Sequence, residues 1–446
     1  MNTTKLNKYE EVLDNSKTMK LMHRPGESKE SKVLYSIHQR GKHKTLWYMS
    51  SWELMEAQNS PTNPELVTYK SKIYPFHSLY RSVLTTRTPA IKVAEGYQVR
   101  FCQDLFINMV RDYRLFLNDI ELQYGNNKSL DFELKNQSNW DVMSQDIGNK
   151  SQLTDWSNEL KSQDLALYLP WFYSQDKSDA FPLKYCGNGD RLHHSVEFNL
   201  SLSQLLLIRD SDGNLVDFDK DLLTVSGNLD SVPIPEMEGL YSLLTNKEVD
   251  ISDGKADEVN GEKELFTRST YYIEDENDVP MGKKVQLKID TKSRQPVYSV
   301  YWGAVNKTKS DELKTNVLHY RKDDEDFSPI KYSKFETSIG TILDSKSSYK
   351  TERAYNLPRN SGIINYRGMN YWCNSVLDQE EGKKFSPGIV MGGGQFTVML
   401  KEKDHDDKYV VFAVLNHVRR FRFKSFPKNQ QERLTRGCTI EPDEDD

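Results

Sequence analysis

Period two is the feature of this chain that most limits its folds. In Arg191–Leu202 the apolar residues Leu192, Val196, Phe198, Leu200 and Leu202 share one parity, while His193, Ser195, Glu197, Asn199 and Ser201 share the other. Successive side chains of a strand point to opposite faces, so this pattern suits a sheet with one wet face and would scatter around a helix. The same alternation recurs at Val285, Leu287 and Ile289, at Phe396, Val398 and Leu400, and at Tyr97, Val99 and Phe101. Two near-continuous apolar runs, Leu165–Tyr173 and Tyr409–Val418, predict strands buried on both sides. Turn signals separate these segments at short intervals, which points to an all-β chain of sandwiches rather than to βαβ units.

Helical signals are sparse. Phe106, Met109, Val110, Tyr113 and Leu117 fit either a helix or a kinked strand, and Ser138 ahead of Trp140 resembles the cap of a short helix near Asn139–Ile147. At 446 residues the chain suits two domains. The sharp turn Asp210-Ser-Asp-Gly-Asn214 and the poorly alternating Leu222–Glu238, with Pro233 and Pro235, place the boundary within Arg209–Glu238. The expected division is an N-terminal arm over 1–30, a first β domain over 31–215, a second over 216–426 and an acidic tail over 427–446.

Candidate chemistry is thin. A formal charge of −6 gives no footprint for wrapping a phosphate backbone. The cysteines Cys102, Cys186, Cys373 and Cys438 follow no C-x-x-C spacing, so reduced buried thiols are expected rather than a zinc site or a disulfide framework. His193 and His194 are neighbours on a strand, face opposite ways and cannot chelate one ion together. Asp210–Asp217 lacks the glutamate of a calcium loop, Gly392-Gly-Gly394 precedes a strand rather than a helix, and the acidic runs Asp323–Asp326 and Glu441–Asp446 read as solvated segments. No nucleophile elbow or metalloprotease motif occurs, so catalytic residues, metal ligands and cofactors are all expected to be none. Trp171, Trp302 and Trp372 suit a core, or a sugar-stacking groove in a carbohydrate-binding or carbohydrate-cleaving sandwich. Arg419-Arg-Phe-Arg-Phe-Lys424 reads as a wet strand face. Met1–Lys20 lacks the apolar core of a signal peptide and no run is long enough to span a membrane, so a cytosol-like compartment is expected.

The string LALYLPWFYSQDKSDAFPLKYCGNGDRLHHSVEFNL at Leu165–Leu200 resembles a segment of the double jelly-roll major capsid proteins of nucleocytoplasmic large DNA viruses, virophages and polinton-like viruses. In the other half, Gln295-Pro-Val-Tyr-Ser-Val-Tyr-Trp302 is similar to a Trp-bearing strand of that family's second roll. Phe327-Ser-Pro-Ile330, Pro358 to Gly368, Met369–Leu377, a Pro387-Gly388 turn, Phe396–Leu400 and Tyr409–Phe423 follow in family order. Ile120-Glu-Leu-Gln-Tyr-Gly125 followed by Trp140 resembles the first roll's strand, glycine turn and helix. The resemblance covers about residues 32 to 424, and its specificity lies in the order of short motifs; Ser71–Val93 and Asp250–Glu264 have no counterpart. It implies two consecutive eight-stranded jelly rolls with short helical inserts in loops, assembled as homotrimers into an icosahedral capsid. Partners would be neighbouring capsomers, penton and minor capsid proteins, with no sequence-specific nucleic acid and no membrane span.

Overall fold

The computed structural model describes residues 48–135, 140–174, 180–227, 230–244, 263–275, 278–289, 296–314, 329–337, 340–345, 370–373, 389–390, 393–402, 406–427 and 430–442. The expected N-terminal arm, the run Asp323–Asp326, Pro358 to Gly368, the Pro387-Gly388 turn and most of the insertion near Asp250–Glu264 lie outside these residues. Every strand pair among the described residues is antiparallel.

The first unit packs a four-stranded sheet against a five-stranded one. The four-stranded sheet runs in the order Tyr48–Leu54, Glu236–Leu244, Ser78–Arg87 and Asp164–Leu167. The five-stranded sheet runs Glu56–Asn59, Leu66–Lys70, Leu192–Phe198, Val110–Leu117 and Ile120–Asn126. Tyr69, Tyr113, Trp171, Tyr173, Phe181 and Tyr241 fill the space between, all fully buried. Short helices, Leu105–Met109, Asn127–Lys135 and Trp140–Asp146, sit in the connections. Phe106–Leu117 is therefore both alternatives in turn, a five-residue helix to Met109 and a strand from Val110.

The second unit packs a seven-stranded sheet against a four-stranded one. Lys284–Ile289 alternates exposed and buried without a break, and Val285, Leu287 and Ile289 point into the core. Trp302 lies there at 5.4 Å from the Phe396 ring, which stacks on Phe335 at 4.1 Å. Burying each such side chain is worth about 1.5–3 kcal/mol. The organising element is the 18-residue strand Lys408–Ser425. It pairs with Lys263–Glu274 on one side and Pro296–Asn306 on the other, as a run buried on both faces should. At ~3.3 Å per residue it extends roughly 60 Å. Tyr409, Val411, Ala413 and Leu415 belong to the second core, whereas Phe421 and Phe423 belong to the first.

Several expectations need correction. Strand Asp164–Leu167 stops before Pro170, which has no N–H to give a ladder. The Gln123 side chain serves the chain instead, donating to the Pro170 carbonyl at 3.1 Å and accepting from the Phe172 amide at 2.8 Å. The alternating strand ends at Phe198 after a register shift at Glu197, and Leu202–Leu205 turns helical. Gly125 makes no turn; strand Ile120–Asn126 runs through it, opposite Tyr113. The first unit's pairing also continues beyond residue 215. Leu223–Val225 pairs with Ile91–Val93, and Glu236–Leu244 sits between Tyr48–Leu54 and Ser78–Arg87. Charged Glu236 and Glu238 mask this strand in the sequence, while Met237 and Tyr241 are buried. Within the expected tail, residues 430–442 are structured. Gln430–Thr435 is helical and Thr439–Pro442 adds to the long strand, because Arg433, Cys438 and Ile440 all bury side chains.

Candidate assembly surfaces and the seam between the two units

The units meet where Ile120–Asn126 and the helix Asn127–Lys135 face Lys263–Glu274 and the long strand. Lys128 Nζ donates to the Glu274 carboxylate at 2.6 Å and to the Tyr272 hydroxyl, and lies over the rings of Tyr272 and Phe412. Burial alone would raise the Glu274 carboxyl, but the charge and hydrogen bond of Lys128 outweigh it and hold the group below the ordinary carboxylate range. Arg419 Nη1 donates to the Glu121 carbonyl at 2.8 Å. The strand face expected to be wet at Arg419–Lys424 is thus spent partly on internal partners, including the ion pair Lys424–Glu441 at 3.9 Å.

Further along, Tyr185 packs on Phe423 and Phe426, with ring centroids 5.5 and 5.1 Å away. Arg433, only 5% exposed, donates Nε to the Cys186 carbonyl and Nη2 to those of Ile73, Phe76 and Leu183. These bonds close the C-terminal helix onto the first unit. Beside them the structure brings together Cys186, Asp190 and Cys438, all buried, which no sequence spacing signalled. The hydrogen bond with Cys438, then burial, holds the Cys186 thiol well above the usual thiol range. Cys102 is buried elsewhere, its thiol pushed up to about 12 by burial, and the Cys373 side chain lies outside the described residues.

The histidine pair divides as strand geometry requires. His193 stacks on Phe116 at 5.0 Å, while His194 is fully buried with Nε2 2.7 Å from the Tyr173 hydroxyl and Nδ1 3.4 Å from Ser71 Oγ. Burial drives the His194 imidazole down to about 3, so it is neutral, and burial raises the Tyr173 phenol well above its ordinary value. With Ser82 Oγ 3.0 Å from the Tyr173 hydroxyl, this is a satisfied polar network in a core, without access for a substrate. The Asp210 turn is a hairpin: its carboxylate accepts from the amides of Asp212 and Asn214, and Gly213 adopts φ 88°. Gly393, with φ 119°, turns the chain into strand Gly394–Leu400. Trp171 and Trp302 are fully buried, so neither can stack on a sugar, and the Trp372 side chain lies outside the described residues.

Outward-facing apolar groups gather on the four-stranded sheet. Trp52 and Leu54, 45% and 51% exposed, share one face of Tyr48–Leu54, an edge strand among the described residues, and Trp52 pairs across with half-buried Leu240. At the opposite edge, beside Asp164–Leu167, a cleft of about 580 Å³ is lined by Arg87, Lys150, Asp164, Ile234 and Glu236. Open sheet edges with apolar flanks are surfaces on which another chain can pack. Among the described residues no helix is long and apolar enough to cross a membrane.

No family model and no curated protein matches the sequence. Among solved structures, the chain is similar to the PBCV-1 protein VP54 fitted into a cryo-EM reconstruction of the virophage Sputnik. The TM-score is 0.63 and the identity 9%, over 90% of this chain and 98% of that one. It is similar also to the capsid of PBCV-1, with TM-score 0.60 and 10% identity over 86% and 96% of the two chains. The Faustovirus major capsid protein matches with TM-score 0.59 and 9% identity over 94% and 98%. Likeness at such low identity establishes architecture. The two consecutive sandwiches are a double jelly roll.

Proposed function

We propose, starting from a double jelly roll shared along nearly its whole length with capsid proteins, that this chain is a major capsid protein whose trimers tile an icosahedral shell. The observation that carries this reading is the match over 90% of this chain and 98% of its structural neighbour, which spans both rolls and their succession. Each subunit offers two similar wedges, so three subunits present six around one axis and approximate a hexagon. The seam at Lys128, Glu274 and Arg419, together with the long strand, would keep the wedges in fixed register. Strand Tyr48–Leu54, with Trp52 and Leu54, is the surface best suited to subunit contact. Obligate interfaces bury on the order of 2,000–5,000 Å² and are apolar at the centre.

On this reading the protein is non-catalytic and resides in the virion, after assembly in the cytoplasm or nucleus of a host cell. Its partners are its own copies, neighbouring capsomers and proteins at the vertices. The rival carbohydrate reading loses support from its nominated tryptophans, since Trp171 and Trp302 are core residues. Light scattering of the full chain should give three times the 51.9 kDa chain mass, and electron microscopy should show hexagonal capsomers. A monomer that persists at micromolar concentration and forms no lattice under any assembly condition would refute the proposal.

A further inference from the structure

Cys186 follows the turn Leu183–Tyr185, Asp190 precedes strand Leu192–Phe198, and Cys438 precedes strand Thr439–Pro442. Their two Sγ atoms and a carboxylate oxygen all lie within 4.8 Å of one another. Around a tetrahedral ion with metal–sulfur bonds of about 2.3 Å and a metal–oxygen bond of about 2.0 Å, ligand atoms stand roughly 3.5–3.8 Å apart, inside that envelope.

The surroundings hold the ligands in place. Asp190 Oδ2 accepts from the Gly187 and Cys438 amides at 2.7 and 2.8 Å, and Oδ1 accepts from Asn118 Nδ2 at 3.0 Å. Oδ1 keeps a second lone pair, and such outer hydrogen bonds orient a ligating carboxylate. Glycine is required where the two turns meet. A Cβ on Gly187 would lie 1.6 Å from the Arg436 carbonyl oxygen, and one on Gly437 would lie 2.8 Å from Asp190 Oδ1.

The charge surroundings are compatible with the site. Arg433 is buried against the Cys186 carbonyl, and among the described residues no carboxylate stands within ion-pair distance of it. A buried cation calls for a compensating anion. Two thiols with the Asp190 carboxylate carry one negative charge, and two thiolates with that carboxylate around a divalent ion carry the same, so binding leaves the charge balance with Arg433 unchanged.

We propose that Cys186, Asp190 and Cys438 bind a zinc-class divalent cation, with water in the fourth position, and that this ion pins residues 430–442 to the first roll. On binding, two S–H bonds break, two metal–sulfur bonds and one metal–oxygen bond form, and two protons leave to solvent. No electron is transferred. Thiolate ligands select zinc over magnesium or calcium. The inference does not rest on the capsid reading.

The test is metal analysis of the full chain, purified with reductant and without chelator, incubated with Zn²⁺ and dialysed. One zinc per chain is expected, released when the thiols are modified, and Co²⁺ in its place should give a thiolate-to-metal charge-transfer band. Asp190→Asn should weaken zinc binding about tenfold or more, as loss of a ligand or its support does, and Cys186→Ser with Cys438→Ser should abolish it. Should those variants fail to fold, zinc content and the cobalt spectrum of the unaltered chain still decide. Zinc well below one per chain with both thiols titratable overturns the proposal. So does a mass lower by two hydrogens with a Cys186–Cys438 crosslinked peptide.

Discussion

Replacing Gly125 by alanine tests the packing of the first roll at its tightest point. A Cβ there would stand 2.3 Å from Cζ and Oη of Tyr113 and 2.8 Å from Cε1, where ordinary contact begins near 3.4 Å. The overlap is about 1 Å, and the ring cannot simply swing aside, because the Trp171 ring packs edge-on at 5.1 Å. Forcing one carbon into a filled core costs about 1–3 kcal/mol. Alanine also restricts the unfolded chain, which returns about 0.4–1 kcal/mol. Gly125→Ala should therefore destabilise by about 1.3 kcal/mol, the middle of a range of roughly 0–2.6 kcal/mol. The assay is the shift in urea midpoint followed by tryptophan fluorescence, with Tyr113→Leu and the double variant completing a cycle. On the leucine background the new methyl finds room, so a coupling of at least about 1 kcal/mol is expected. Strictly additive effects would refute both the close approach and the strand that creates it.

His194 makes stability depend on pH. Its imidazole titrates near 6.5 when unfolded and only at about 3 in the core. The unfolded state therefore binds the extra proton, so the contribution is complete above pH 6.5 and falls by about 1.4 kcal/mol per unit as pH drops towards 3. His194→Phe should abolish this slope, so the stability gap between wild type and variant, compared at pH 7.5 and pH 5, should change by roughly 2 kcal/mol; an unchanged gap would show that the ring is not buried neutral. Glu274 has the same sign for a different reason: its carboxyl is depressed, so its contribution is present above the unfolded value of 4.5 and is lost as pH falls through the lower folded value. Because the Lys128–Glu274 pair is partly exposed, Glu274→Gln should cost no more than about 1 kcal/mol; calorimetry showing a much larger loss would mean that this pair, rather than the shared strand, holds the rolls together. Replacing Trp52 and Leu54 by serine should leave subunit stability within about 0.5 kcal/mol while weakening trimer formation; analytical ultracentrifugation of the variant giving an unaltered trimer would remove that face from the interface.

Legibility in the sequence followed the strength of periodicity. Lys284–Ile289 and the long C-terminal strand could be read directly, because one alternates cleanly and the other is apolar on both faces. Glu236–Leu244 could not, since its outward residues include two glutamates and its inward ones a glycine. Leu165–Tyr173 misled for the opposite reason: its large apolar residues are buried apart from Tyr168, but Gln123, 47 and 49 residues before Pro170 and Phe172, satisfies the backbone that a neighbouring strand would otherwise have served. The meeting of Cys186 with Cys438 was illegible for a plainer cause. Their separation is set by the path of both rolls and leaves no local pattern.

The long strand also governs when the molecule can become itself during synthesis. Domains are generally taken to fold in the order they leave the ribosome, at ~5–20 residues per second. Here the core of the first roll includes Leu265, Phe421, Phe423, Cys438 and Ile440, so it stays open after Leu244 has emerged. It closes only when residue 440 is released, roughly 10–40 s later at those rates. A product truncated before residue 438 would therefore leave the first roll without the core contacts of Cys438 and Ile440.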